Sequence, residues 1–103
     1  MNDGEWKLTC VGTLERIERQ DIDKTMRHPK IKLVLHVRPS EMQAEREGVE
    51  MPELVRFGIM ERDFLRMVDE LPEEGALIAV EGIATGVRPV LCTLSDVSII
   101  TEH

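Results

Sequence analysis

The alternation of hydrophobic and polar residues predicts two strands in the first 40 residues. Residues 6–16 alternate well enough for a first strand, and Gly12 in its middle indicates a bulge or a sharp bend. Residues 31–38 have the clearest period of two, which places one apolar set on a buried face. Pro39 is expected to end this strand, and the charged residues 17–29 form a loop or the trailing end of the first strand. The buried face consists of Ile31, Leu33, Leu35 and Val37, and the opposite face carries Lys32, Val34, His36 and Arg38.

One helical pattern lies between two further strand patterns. Residues 54–60 are an apolar run of strand length, and residues 76–80 begin another. Between them, acidic residues at positions 61 and 63 favour a helix start, and a single apolar stripe follows at helical spacing. Pro72 and Gly75 are expected to end the helix. The stripe consists of Phe64, Met67, Val68 and Leu71.

Turn and loop residues divide the rest of the chain. Residues 39–52 are polar and mostly acidic, which predicts a flexible loop. Residues 86–89 have the composition of a tight turn, and residues 90–101 form a final strand with a bulge at Ser95-Asp96. The resulting order, β-β-β-α-β-β in one domain of residues 1–103, is that of an OB-fold. This all-β fold is a five-stranded Greek-key barrel whose helix lies between strands 3 and 4.

The net charge of −7 is unevenly distributed along the chain. Residues 1–40 contain eight Lys/Arg and six Asp/Glu, a balance of +2, whereas residues 41–103 contain five and fourteen, a balance of −9. A basic surface must therefore come mainly from the first two strands. No apolar run could span a bilayer and the start is acidic, so we expect a cytoplasmic protein that does not bind membranes. Cys10 and Cys92 are expected to be buried, reduced thiols.

Motifs for catalysis or cofactor binding are not apparent. The histidines and cysteines do not have zinc-site spacing. The segment EGIATG at residues 81–86 lacks the Lys-Ser/Thr that a phosphate-binding loop requires. We therefore expect a protein that is not an enzyme and has neither a cofactor nor a metal.

Three segments in order resemble the bacterial single-stranded DNA-binding proteins, and more loosely the small primosomal proteins of the same fold. KLTCVGTL at residues 7–14 resembles the opening strand, VRFG at 55–58 the third strand, and residues 75–82 the approach to the fourth. The resemblance implies binding of single-stranded DNA in replication, repair or a mobile element. It also implies a homo-oligomer, a dimer or tetramer, with a replication or repair partner. The chain departs from the family at Glu53 and Ile59, where the family has basic residues.

Single strands are held by aromatic side chains that stack on bases and by cations that follow the phosphates. By the resemblance, Phe57 occupies a stacking position and faces outward, with Arg56 at the barrel rim; the alternative places Phe57 in the core. Trp6 is either a stacking residue or an edge-packing or subunit contact. Met51 falls near the family's stacking tryptophan.

The candidate phosphate contacts lie on the second strand and on neighbouring loops. Their alternative role is a solvated face balanced by acids such as Asp21. Two functions follow: a binder of single-stranded DNA or RNA, or a protein-interaction subunit that has lost most nucleic-acid binding. Net acidity, few aromatics and an apolar set of Val34, Met51, Val55 and Ile59 favour the second. The candidate cations are Lys7, Lys24, Arg27, Lys30, Lys32, His36, Arg38 and Arg88.

Overall fold

The computed structural model describes residues 4–23, 30–86 and 91–100, in which five strands form a closed barrel with one helix. Around the barrel the order is β1-β2-β3-β5-β4, and β4 pairs again with β1. Neighbouring strands are antiparallel, except that β3 and β5 run parallel. The predicted OB-fold, with its helix between strands 3 and 4, is confirmed. The elements are β1 Glu5–Asp23, β2 Lys30–Ala44, β3 Val55–Met60, α1 Glu61–Met67, β4 Leu77–Thr85 and β5 Leu91–Ile99.

Alternate residues of every strand fill the barrel interior. In β2, Leu33, Leu35 and Val37 are fully buried, which confirms the core face predicted from the period of two. Cys10 and Cys92 are also buried and unpaired, and burial raises the pKa of each thiol to about 11. The apolar contacts among these side chains are the main source of stability for a domain of this size.

A bend at Gly12 lets β1 belong to both sides of the barrel. Residues 5–13 of β1 pair with β4, whereas β1 pairs with β2 along nearly its whole length. The pairing with β2 shifts between Val11 and Gly12, so the predicted bulge is confirmed. A Cβ on Gly12 would lie 2.8 Å from the Cα of Pro39, so the two backbones can approach this closely only at a glycine.

The prediction that Pro39 ends β2 is wrong, because β2 continues to Ala44. Residues 39–44 of the predicted flexible loop are therefore strand. The proline is tolerated because β3 pairs with β2 only as far as Val37, which leaves β2 a free edge beyond that residue. Residues 17–23 are the trailing end of β1, as one of the two readings of that segment predicted.

Helix α1 is shorter than the helix that the apolar stripe predicted. Its last residue is Met67, and Val68 is already extended while its N–H donates to the carbonyl of Phe64 at 3.1 Å. Phe64 is fully buried, but Leu71 is 37% exposed and lies outside the helix. Asp69 and the following glutamate disfavour a longer helix, because carboxylates next to a helix C-terminus are repelled by its carbonyls. Among the described residues, no helix has the length and apolar character that crossing a membrane requires.

The last strand contains the bulge that its composition indicated. Glu81 pairs with Asp96 and Gly82 with Leu94, so Ser95 has no partner residue on β4. Its hydroxyl instead donates to the backbone carbonyl of Glu81 at 3.1 Å. Of the predicted tight turn only Gly86, with a φ of 74°, is described; residues 87–89 lie outside the described ranges.

Candidate nucleic-acid interface

The outward side chains of four neighbouring strands form one continuous surface, which we call the outer face. The register places His36 of β2 between Arg16 of β1 and Arg56 of β3. One step along, Val34 lies between Glu18 and Gly58, and Gly58 is opposite Thr93 of β5. The outer face consists of Arg16, Glu18, Gln20, Lys32, Val34, His36, Arg56, Gly58, Met60, Leu91 and Thr93.

An open groove of about 900 Å³ crosses the outer face between β2 and β5. Gly58 deepens it, because this residue has no side chain to fill the space above β3. The stem of Lys32 lies over the glycine, so a Cβ there would be 3.0 Å from the Lys32 Cε. Apolar side chains line much of the groove, and two of them, Ile22 and Leu91, are each 53% exposed. The groove therefore combines an apolar floor with Lys32 and with the ion pair of Arg66 and Asp63, whose charged atoms lie 3.8 Å apart.

Two cations of the outer face have no ion pair within the part of the chain that the structure describes. They are Lys32, which lines the groove, and Arg56, which is exposed on the neighbouring strand. Lys30 at the start of β2 is likewise exposed and without an ion pair to any described residue. Unpaired cations are available to an anionic ligand without first breaking an internal contact.

Two other predicted phosphate contacts, Lys7 and Arg38, already form ion pairs with carboxylates of the protein. The Nζ of Lys7 lies 2.8 Å from an Oε1 of Glu81, and this hydrogen bond raises the pKa of Lys7. The Nε of Arg38 lies 2.6 Å from Glu15, which raises the pKa of the guanidinium, and its Nη1 lies 3.5 Å from Glu53. A phosphate would have to compete with a carboxylate at both positions.

All three aromatic residues of the chain are in the core. Trp6 is 3% exposed, and Phe57 and Phe64 are fully buried. The prediction that Phe57 faces outward is wrong: Val55, Phe57 and Ile59 point inward, so Arg56 is the outward residue. The ring of Phe57 fills the space beside Gly82, where a Cβ would lie 3.0 Å from it. No aromatic ring is thus exposed on the outer face for base stacking.

Trp6 has the edge-packing role that was the alternative to stacking. Its Nε1 donates to the backbone carbonyl of Gly86 at 2.6 Å, which ties the start of β1 to the end of β4. The guanidinium of Arg46 donates to the same oxygen at 3.3 Å. The tryptophan is therefore explained by packing and a satisfied hydrogen bond.

His36 lies on the outward side of β2, as predicted, but it is only 5% exposed. Its Nε2 lies 3.5 Å from an Oε1 of Glu18 and has no hydrogen-bond partner among the described residues. The prediction that His36 is an accessible cation is therefore wrong, because its side chain is buried.

The remaining candidate residues are not brought to the groove. Met51 is 52% exposed, but it belongs to the irregular segment after β2 and does not line the groove. Lys24, Arg27 and Arg88 lie outside the described residues. Arg16 and Arg56 were missed as contacts by the sequence reasoning. For Arg56 a signal was present, since an inward Phe57 in a period-two strand places Arg56 outward.

The described histidines, cysteines and acidic residues form no group of three or more that could hold a metal ion. Comparison with known proteins does not assign this arrangement to a family. No protein-family model, no curated protein and no solved structure matches the chain. The resemblance to single-stranded DNA-binding proteins therefore stays a prediction, which rests on three short segments and on the fold that contains them.

Proposed function

We propose that this protein binds a single strand of nucleic acid, DNA or RNA, across its outer face, and does so mainly through phosphate contacts. The observation that carries the proposal is the pair of unpaired cations, Lys32 and Arg56, beside an open groove of an OB-fold. Along β2, position 36 opposite Arg56 is four residues from Lys32, about 13 Å at 3.3 Å per residue. The two cations are thus far enough apart to contact different phosphates of one extended strand.

The expected affinity is weak and strongly salt-dependent. Base stacking on aromatic side chains contributes about 1–3 kcal/mol per base in other single-strand binders, and here all three aromatics are buried. Phosphate contacts release counterions, so their contribution falls as salt rises. The net charge of −7 opposes binding of a polyanion further. A homo-oligomer, a dimer or tetramer acting with a replication or repair partner, would add several weak sites together.

The test is fluorescence anisotropy of a labelled oligothymidine, titrated with the protein at low and moderate salt. Lys32→Gln and Arg56→Gln are each expected to weaken binding at least threefold and to reduce the salt slope by about one. Arg62→Gln is the matched control, because Arg62 is an exposed cation on α1 that belongs neither to the outer face nor to the groove lining. Equal affinity of all three variants and the unmodified protein, or no binding even at low salt, would refute the proposal.

A second function is favoured by one observation, the exposed apolar side chains in the groove. Ile22 and Leu91 are each 53% exposed there, and contiguous apolar surface of this kind is typical of protein contacts. An OB-fold interaction subunit would bind a second copy or another protein through it. Size-exclusion chromatography with light scattering would then detect an oligomer that Leu91→Ser dissociates. A stable monomer at all concentrations would argue against self-association.

A further inference from the structure

Three basic side chains stand in one row across the outer face. Arg16 lies directly opposite His36 on one side, and Arg56 lies directly opposite His36 on the other. Side chains at such positions are close neighbours, so the guanidinium groups of Arg16 and Arg56 flank the imidazole of His36.

One carboxylate, that of Glu18, lies in the row. Its Oε1 is 3.4 Å from the Nη2 of Arg16 and 3.5 Å from the Nε2 of His36. Its Oε2 accepts a hydrogen bond from the amide of Gln20 at 2.5 Å. These contacts, the hydrogen bond from Gln20 first, lower the pKa of Glu18. The carboxylate therefore stays charged and serves as the internal anion of the row.

Glu18 does not satisfy the row fully. The Nε2 of His36 is buried and lacks a hydrogen-bond partner in the described structure, although buried polar atoms normally have one. Arg56, on the far side of the histidine, makes no ion pair with any described residue. The row thus has an unsatisfied nitrogen and a free guanidinium beside a carboxylate that is 36% exposed. A larger anion with more acceptor oxygens would suit these donors better than one carboxylate does.

We propose that Arg16, His36 and Arg56 form a site for one phosphate group, and that Glu18 occupies this site in the free protein. The incoming phosphate displaces the Glu18 carboxylate from Arg16 and His36, and the carboxylate moves to solvent. The source of the phosphate rests on the proposed function: it is either an internal phosphodiester of a single strand or a phosphomonoester at the end of one. In both cases Glu18 competes with the ligand, so removal of its charge strengthens binding.

The experiment uses the full chain and inorganic phosphate, followed by NMR through the imidazole signals of His36, which His36→Gln assigns. Glu18→Gln is expected to bind phosphate at least threefold more tightly than the matched control Glu61→Gln. Both variants change the net charge equally, but Glu61 pairs with Arg19 at 3.1 Å, outside the row. Arg56→Gln is expected to bind at least threefold more weakly. Equal affinities of Glu18→Gln and Glu61→Gln would overturn the proposal, as would phosphate that shifts His28 and His103 as much as His36.

Oligonucleotides with and without a 5′-phosphate distinguish the two sources. Tighter binding of the phosphorylated strand, lost in Arg56→Gln, supports the terminal monoester, whereas equal binding of both strands supports an internal phosphodiester. The two proposals can also fail separately. If phosphate shifts His36 but no oligonucleotide binds, the proposed function fails and the phosphate site stands. If oligonucleotides bind but Glu18→Gln behaves like Glu61→Gln, the phosphate site fails and the proposed function stands.

Discussion

Replacing Gly12 with alanine is expected to destabilise the barrel strongly. The added Cβ would lie 2.8 Å from the Cα of Pro39 and 2.9 Å from the carbonyl carbon of Arg38, and closer still to the oxygen of that carbonyl. Real Cβ atoms essentially never approach other heavy atoms within 3.0 Å. Because all three neighbours are backbone atoms, no side-chain rotation can relieve the clash. The two strands would have to separate at the bend.

The magnitude follows from the kind of atom that must move. Overpacking that shifts a backbone costs about 1–3 kcal/mol and occasionally more. Here the shift also disturbs the pairing of β1 with β2 on both sides of the bulge, so we expect a loss of about 3 kcal/mol in the free energy of unfolding. Domains of this size have only about 5–15 kcal/mol in total. At about 4–8 °C per kcal/mol, the Tm should fall by about 12 °C or more.

Gly58→Ala is the matched control, because it adds the same methyl group to another buried strand glycine. Its Cβ would meet the Lys32 Cε at 3.0 Å, which is the far end of a flexible side chain that can move aside. The lower entropy of the unfolded alanine chain offsets about 0.4–1 kcal/mol of any cost. We therefore expect a change within about 0.5 kcal/mol.

Urea unfolding followed through the fluorescence of Trp6, the single and buried tryptophan, measures both variants. A Gly12→Ala protein that unfolds at the same urea midpoint as Gly58→Ala would refute the reasoning.

Three further predictions concern the core and the outer face. Phe57→Leu is expected to lower the free energy of unfolding by about 1–2 kcal/mol but to leave oligonucleotide affinity within twofold, since Phe57 is inside the barrel; lost binding in a folded variant would contradict this. Cys10 and Cys92, whose pKa burial raises to about 11, should resist an aromatic disulfide reagent in native buffer at neutral pH and react fully in guanidinium. Rapid native labelling would mean that the thiols are accessible. Because the pKa of Glu18 is lowered in the folded protein, this carboxylate is protonated at a higher pH in the unfolded state than in the folded state. The resulting stabilisation is complete above the ordinary pKa of 4.5 and is lost as pH falls through the lower folded value. Urea unfolding of Glu18→Gln between about pH 5 and 3 should therefore show a shallower decline than that of the unmodified protein, and parallel declines would contradict it.

The strand order and the core of β2 could be predicted because both depend on short-range patterns. The period of two at Leu33, Leu35 and Val37 fixes which face is buried, and Gly12 signals the bend without knowledge of its partner strand. The end of β2 could not be predicted in the same way. Whether Pro39 breaks a strand depends on whether a neighbour needs its missing N–H, and the absence of β3 beyond Val37 decides this.

The candidate site was predicted less well, because it depends on contacts between strands. In VRFGIM, apolar residues on both sides of the alternation leave the facing of Phe57 open, and the family resemblance selected the wrong face. The contact between His36 and Glu18 joins β2 to β1 across a register that shifts near Arg16. No spacing in the sequence gives that register, so neither the burial of His36 nor the row of basic residues could be foreseen.

Among the described residues, the parallel pairing of β3 with β5 covers three residue pairs, from Arg56–Leu91 to Gly58–Thr93. These are far fewer residue pairs than the described parts of β1 and β2 share, so we expect local opening of the barrel to begin between β3 and β5. Amides of these residues are then expected to exchange with solvent before those of β1. A ligand bound across the outer face would bridge β3 and β5 and slow that exchange. Slower amide exchange at the short β3–β5 pairing would thus be a direct measure of an occupied groove.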